Sequence, residues 1–240
     1  MSIANPDSNS NLIIQTPAAM AALIDHTLLK PDATESDIAV LCKEAVKHSF
    51  YSVCVSPCFV RFAKQQLIGS SVRVCTVVGF PLGTSTLESK VFETEQAVFL
   101  GADEIDMVIH IGALKMGHDE SVLQEINAIC KAATPCLVKV IVETALLTQE
   151  EKQRVATIVK QSRAEFIKTS TGFAKAGATV EDVSLFYSVL GKTKKIKASG
   201  GVRQYQEACA MVQAGATRLG TSQGVAIVQG AETRATSSLY

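Results

Sequence analysis

The chain has 240 residues, 47% of them hydrophobic, and its 23 lysines and arginines balance 23 aspartates and glutamates. That size and apolar content allow a large buried core, as one barrel-sized domain or two small ones. Net neutrality, with no basic block and no aromatic-basic interleaving, excludes a nucleic-acid binder and leaves a small or medium-sized ligand as the expected partner.

Seven cysteines, Cys42, Cys54, Cys58, Cys75, Cys130, Cys136 and Cys209, form no C-x-x-C pair and no zinc-ligand spacing with histidine. They are expected as buried, reduced thiols. The opening segment MSIANPDSNSNLI lacks a basic region followed by an apolar one, and no apolar run reaches membrane-spanning length. A cytoplasmic protein with no membrane partner is therefore expected.

In chain order, strand-type runs fall at ALIDHT (22–27), SVCVS (52–56), VRVCTVVGF (72–80), EIDMVI (104–109), CLVKVIVE (136–143), EFIKTS (165–170), KIKASG (195–200) and TRLGTS (217–222). Between them lie helical patterns such as ESDIAVLCKEAVKHSF, STLESKVFETEQAVFLGA, DESVLQEINAICKAA, TQEEKQRVATIVKQS and YQEACAMVQAGA. One strand-plus-helix unit recurs about every 28 residues, the length of a parallel crossover unit. Eight such units predict an α/β fold, a single-domain (β/α)8 TIM barrel over residues 17–230. An open doubly wound sheet is disfavoured because no G-x-G-x-x-G follows the first strand. Residues 1–16 read as a polar N-terminal extension. Residues 231–240 read as a mobile tail, too poor in apolar groups to pack as a helix.

Barrel active sites are assembled at the C-terminal ends of the strands, and alternate strand residues point inward. On that alternation Lys168 shares a face with Phe166 and Ser170, and Lys197 with Lys195 and Ser199. Asp106 lies between outward-facing Ile105 and Met107, and Lys139 and Glu143 fall on one face. A single lysine in a strand is usually an edge or snorkelling residue. Three on three successive strands change that reading, because like charges held close in a partly desolvated site favour loss of a proton from one of them. A neutral, nucleophilic amine is what Schiff-base chemistry requires. The glycine-rich strand ends STGF (170–173), SGGVR (199–203) and GTSQG (220–224) each precede a helix, so backbone N–H groups could converge on a phosphate. Their plainer reading is tight turns that need glycine.

IDHTLLKPDAT, VCVSPCFV, VCTVVGFPLG, GADEIDMVI, LVKVIVETALLT, FIKTSTGF, KASGGVR and the final Tyr240 resemble, in order from about residue 24 to the end, the 2-deoxyribose-5-phosphate aldolase family of class I aldolases. The resemblance implies a (β/α)8 barrel, no cofactor and no metal, and reversible cleavage of 2-deoxy-D-ribose 5-phosphate to acetaldehyde and D-glyceraldehyde 3-phosphate. It implies Lys168 as the imine-forming lysine, Lys197 as its perturbing neighbour, Asp106 as the acid/base, and Tyr240 as a phenol folding back over the barrel mouth. Asp25 and Cys54 would line the site. Gly172, Gly200, Gly201, Arg203, Gly220 and Ser222 would hold phosphate, and Lys139 and Thr169 are counted with this binding set. The resemblance implies a homodimer or a larger assembly.

Phe173 stands where some members of the family carry a phosphate-side lysine, Gln223 where some carry serine, and His110 where many carry asparagine; His26 reads as a hydrogen-bonded structural residue. The competing readings are another phosphosugar barrel, an isomerase or a different Schiff-base aldolase, and a non-catalytic sensor of a phosphorylated metabolite.

Overall fold

Alternating inward and outward residues require a sheet with two different faces, and closing that sheet on itself gives an inner and an outer environment. The computed structural model of the chain describes residues 16–237. Eight parallel strands close into one barrel in sequence order: β1 (Ile24–Leu28), β2 (Ser52–Val55), β3 (Arg73–Val78), β4 (Glu104–Val108), β5 (Leu137–Ile141), β6 (Phe166–Lys168), β7 (Lys195–Ser199) and β8 (Arg218–Thr221). Closure is made by β8 against β1, with Asp25 opposite Gly220. Each run expected from the sequence contains one of these strands, except that β1 extends one residue past the first run, to Leu28.

The helices are α1 (Pro17–Ala21), α2 (Glu35–His48), α3 (Val60–Gln66), α4 (Leu87–Phe99), α5 (Ile111–Lys115), α6 (Asp119–Ala132), α7 (Gln149–Gln161), α8 (Val180–Leu190), α9 (Tyr205–Gln213) and α10 (Gly224–Ser237). Local chemistry sets their starts. Thr34 before α2 and Thr148 before α7 accept from the third helical N–H, while Asp37 and Glu151 return the bond to the cap residue.

The tail departs from expectation. α10 runs to Ser237, well past residue 230, where the sequence predicts the helix to stop. Ile227, Val228 and Ala231 bury one face of it. Once nucleated, a helix extends at one hydrogen bond per residue through favourable formers such as alanine, glutamate and arginine. Apolar content was the wrong criterion there.

The two faces of the sheet differ in chemistry. Outward residues Ile105, Met107, Val138, Val140, Ile167, Ile196, Ala198 and Leu219 join the main apolar core, with Ile38 and Leu41 of α2 and Val155 and Val159 of α7 in the same cluster. Burial of each large aliphatic side chain there contributes about 1.5–3 kcal/mol. Inward residues Glu104, Asp106, Lys139, Lys168, Lys197 and Arg218 make the barrel interior charged, where such barrels are commonly filled with branched aliphatic side chains. Among the described residues no helix is long and apolar enough to cross a membrane.

Candidate active site

The charged interior is layered from the N-terminal ends of the strands to the mouth. Deepest is Arg218, at the start of β8, whose Nη1 donates to Asp25 Oδ1 at 2.8 Å and to Glu104 Oε2 at 2.9 Å. Its guanidinium carbon lies 3.4 Å from the ring centroid of Tyr51 and 5.3 Å from that of Phe166. Lys139 comes next, 2.6 Å from Glu104 Oε2 and 2.7 Å from Asp106 Oδ1. Lys197 donates to Asp25 Oδ2 and, at 2.8 Å, to Asp106 Oδ2. Lys168, the last residue of β6, donates to that same Asp106 oxygen at 2.8 Å. Asp106 is thus shared among three ammonium groups, and its Oδ1 also accepts the Cys75 thiol at 3.2 Å.

These contacts fix the charge states. Burial works against ionising Asp106, but Lys139, Lys168 and Lys197 hold it well below the usual carboxylate range. Burial likewise opposes the charge on Asp25, which Lys197, Lys139 and Arg218 nonetheless keep depressed. Burial would lower the amines of Lys139 and Lys197. Asp106, with Asp25, instead raises both above the ordinary lysine value.

That result corrects the like-charge argument drawn from the sequence. Lys197 does not face Lys168 across empty space, because Asp106 Oδ2 lies between them and accepts from both. Two charged residues escaped the sequence reading. Glu104 shares the inward face of β4 with Asp106, and Arg218 shares that of β8 with Gly220, so period-2 alternation would have found both.

Above this layer opens a cleft of about 300 Å³ lined by Thr27, Leu28, Leu29, Lys30, Lys168, Thr171, Gly172, Phe173, Ser199–Arg203 and Gly220–Ser222. It gathers Lys168, Gly172, Gly200, Gly201, Arg203, Gly220 and Ser222 of the expected set. Lys139, Asp25, Cys54 and Thr169 do not line it. Lys139 is fully buried in its ion pairs, so it does not reach a ligand in the cleft. Asp25 accepts from Ser52, Lys197 and Arg218 beneath the cleft, and Cys54 is packed with Cys75 and Val77. Thr169 ties β6 to β7, its hydroxyl accepting from Ser199 N at 3.1 Å. Glu143 also leaves the lysine layer. Strand β5 ends at Ile141, Glu143 adopts φ 56°, and its Oε2 accepts from the N–H and hydroxyl of Thr171. Tyr240 lies outside the described residues.

The glycine-rich loops meet both of their readings. Gly172, Gly200 and Gly201 have φ of +89°, +83° and +81°, so glycine is needed there for the turn itself. Gly220 is needed for space, since a Cβ would come within 2.2 Å of Ser199 Oγ and 2.9 Å of Lys197 Cε. The start of α9 is already occupied. Glu207 Oε2 accepts from the N–H groups of Arg203 and Gln204 at 2.7 and 3.0 Å, which leaves the Arg203 side chain and the loop before it to meet an anion.

Of the family departures, Phe173 packs edge-on against Phe80 at 5.2 Å, and His110 Nδ1 caps α5 by accepting from Ala113 N at 2.9 Å. His26 is buried, 2.6 Å from Glu44, with its pKa lowered by burial despite that carboxylate, which agrees with a structural residue. Two donor sets, Cys54–Cys75–Asp106 and Asp25–Cys75–Glu104, hold their ligand atoms within 4.8 Å of one another. Every carboxylate in them is already ion-paired, and a divalent cation would add charge where cations are already in excess.

A model of the DeoC/LacD family aldolases matches residues 19–230. The deoxyribose-phosphate aldolase of Ureaplasma urealyticum is 55% identical over 205 residues, covering 85% of this chain and 95% of that protein. The enzyme of the same description from Brevibacillus brevis is 53% identical over 214 residues, covering 89% and 97%. Among solved structures, the tetrameric deoxyribose phosphate aldolase of Aeropyrum pernix superposes with a TM-score of 0.84 at 32% identity, over 95% of this chain and all of that one.

Proposed function

The chain belongs to the DeoC/LacD family of aldolases, and on that premise we propose that it cleaves 2-deoxy-D-ribose 5-phosphate reversibly to acetaldehyde and D-glyceraldehyde 3-phosphate. One observation carries the imine mechanism. Of the interior lysines described, Lys168 alone lines the cleft, and no carboxylate lines it.

Lys168 Nζ attacks the C1 aldehyde of the open-chain sugar, and loss of water leaves a protonated imine. As the C2–C3 bond breaks, its electron pair flows into the imine to give an enamine. The C3 hydroxyl gives up its proton and becomes the aldehyde of glyceraldehyde 3-phosphate. Asp106 is closed off from the cleft, so this proton reaches it by way of a water. Protonation of the enamine at C2 and hydrolysis then release acetaldehyde and free Lys168. Arg203, the loop at Gly200–Gly201 and Ser222 take the phosphate, and Tyr240 assists the C2 proton step.

An isomerase would need a carboxylate base in the cleft, which the described lining does not offer. A sensor would have no use for a lysine held against a buried carboxylate. Self-association as a homodimer belongs to this reading too; the relative from Aeropyrum pernix is tetrameric, and sedimentation velocity separates the two. A cytoplasmic location fits seven unpaired thiols and is tested by cell fractionation. The activity is tested by supplying 2-deoxyribose 5-phosphate and assaying both products. Equimolar acetaldehyde and glyceraldehyde 3-phosphate are expected, and a ketose isomer in their place would contradict the reading.

A further inference from the structure

Beyond the end of β5 the chain keeps its place beside β6: Val142 N donates to Lys168 O at 3.1 Å and Thr144 N to Thr169 O at 2.9 Å. Between those two bonds sits Glu143, with φ 56°. Among the described residues only one other non-glycine residue has a positive φ, Ser49, which closes α2. Glycine would adopt that backbone without steric cost, so a side chain kept at 143 points to a use for it. The Glu143 carboxylate is buried, and among the described residues no cation pairs with it. Its Oε2 accepts from the Thr171 N–H at 3.2 Å and from the Thr171 hydroxyl, while Oε1 has no partner in the protein. A buried carboxylate held only by neutral donors is a poor choice for stability alone.

Thr171 carries this anchorage to the cleft. Its Oγ1 accepts in turn from Phe173 N at 3.1 Å, so one carboxylate and one hydroxyl fix the turn Thr171–Gly172–Phe173. The turn lines the cleft and lies against the loop that follows β7. A Cβ on Gly200 would meet Gly177 Cα at 3.0 Å and Gly172 Cα at 3.5 Å, and Ala178 N donates to the carbonyls of Ser199 and Gly200, both at 3.0 Å. The loop at Gly200–Gly201 is thus braced backbone to backbone by the segment that Thr171 begins. We propose that Glu143 is a positioning residue for the substrate's phosphate: from behind the cleft it holds the Thr171–Phe173 turn, and the turn holds the Gly200–Gly201 loop that receives the anion.

The inference rests on the proposed cleavage, so wild-type protein is first assayed with 2-deoxyribose 5-phosphate. Absence of both products overturns that reading and this inference with it. Given turnover, Glu143→Gln keeps the side-chain volume but replaces one acceptor oxygen with a donor, and KM for the phosphorylated sugar is expected to rise about fivefold. The values of kcat, of KM for unphosphorylated deoxyribose and of the rate of borohydride trapping with acetaldehyde should each stay within about twofold, since a general structural defect would move them all. Thr171→Ser keeps the hydroxyl and should retain the wild-type KM. Thr171→Val removes it and should reproduce the rise, with little added in the double variant because both changes break one contact. An unchanged KM for the phosphorylated sugar in Glu143→Gln, an equal rise for both sugars, or full additivity in the double variant overturns the proposal while the cleavage itself stands. Should Glu143→Gln fail to fold, Thr171→Val decides: a KM that stays at the wild-type value overturns it.

Discussion

Beneath the cleft, Asp25 and Asp106 have both oxygens engaged: Asp25 by Ser52, Arg218 and Lys197, and Asp106 by Cys75, Lys139, Lys168 and Lys197. At the mouth, two residues beyond Lys197 on β7, Ser199 lines the cleft with its hydroxyl buried and without a partner in the protein. A native interior seldom leaves such atoms unanswered. The contrast separates two jobs. The floor is closed upon itself and sets charge, while the mouth holds polar groups that a ligand rich in hydroxyl and phosphate oxygens would satisfy.

The sharpest way to break this division is at Lys168, where floor and mouth meet. Lys168→Arg is expected to abolish turnover beyond trace levels while leaving the melting temperature within a few degrees, because a guanidinium still pairs with Asp106 but forms no imine. Measured activity above trace would remove the lysine from the chemistry.

Asp106→Asn attacks the floor alone. It strands three ammonium groups around one neutral amide, so a loss of about 3–5 kcal/mol in stability is expected by urea unfolding, together with a fall in kcat. The pH dependence has a defined sign. Asp25 and Asp106 are depressed, so their stabilisation is complete above the unfolded aspartate value of about 3.9 and is lost as pH falls toward their folded values. Lys139 and Lys197 are raised, so theirs is present below about 10.4 and lost as pH climbs through the folded values. The cluster's contribution is therefore flat between about pH 5 and 10. Asp106→Asn should make the acid limb shallower, and an unchanged limb would mean that the cluster does not drive acid unfolding.

Two milder changes sharpen the mouth. Arg203→Ala is expected to raise KM for the phosphorylated sugar about tenfold while barely altering that for deoxyribose, since only the former carries the anion. Equal effects would move the phosphate elsewhere. Ser199→Ala should raise KM a few-fold with no loss of stability, because the hydroxyl it removes has no partner to lose. A drop in melting temperature instead would make Ser199 part of the closed floor.

Much of this was legible in the sequence because a barrel strand carries its own phase. EFIKTS and EIDMVI place Lys168 and Asp106 on inward faces without any knowledge of their neighbours. What the sequence hid was the meeting of strands far apart in the chain. Arg218 and Asp25 are 193 residues apart and become neighbours only when β8 closes on β1. The charge balance was invisible until that register existed, and so was the diversion of Glu143 to Thr171, which depends on β5 ending two residues early. The helical course of 231–237 was misjudged for a different reason, since it follows from propagation of a buried helix and not from its own composition.

The most direct test of the central claim, that Lys168 is the reacting amine between a closed floor and an open mouth, is borohydride reduction of wild-type protein in the presence of acetaldehyde, followed by peptide mass mapping. The account predicts a gain of one ethyl group on the peptide carrying Lys168, reduced when glyceraldehyde 3-phosphate is added to consume the enamine. An adduct on Lys139 or Lys197, or none on any of the three, would contradict it.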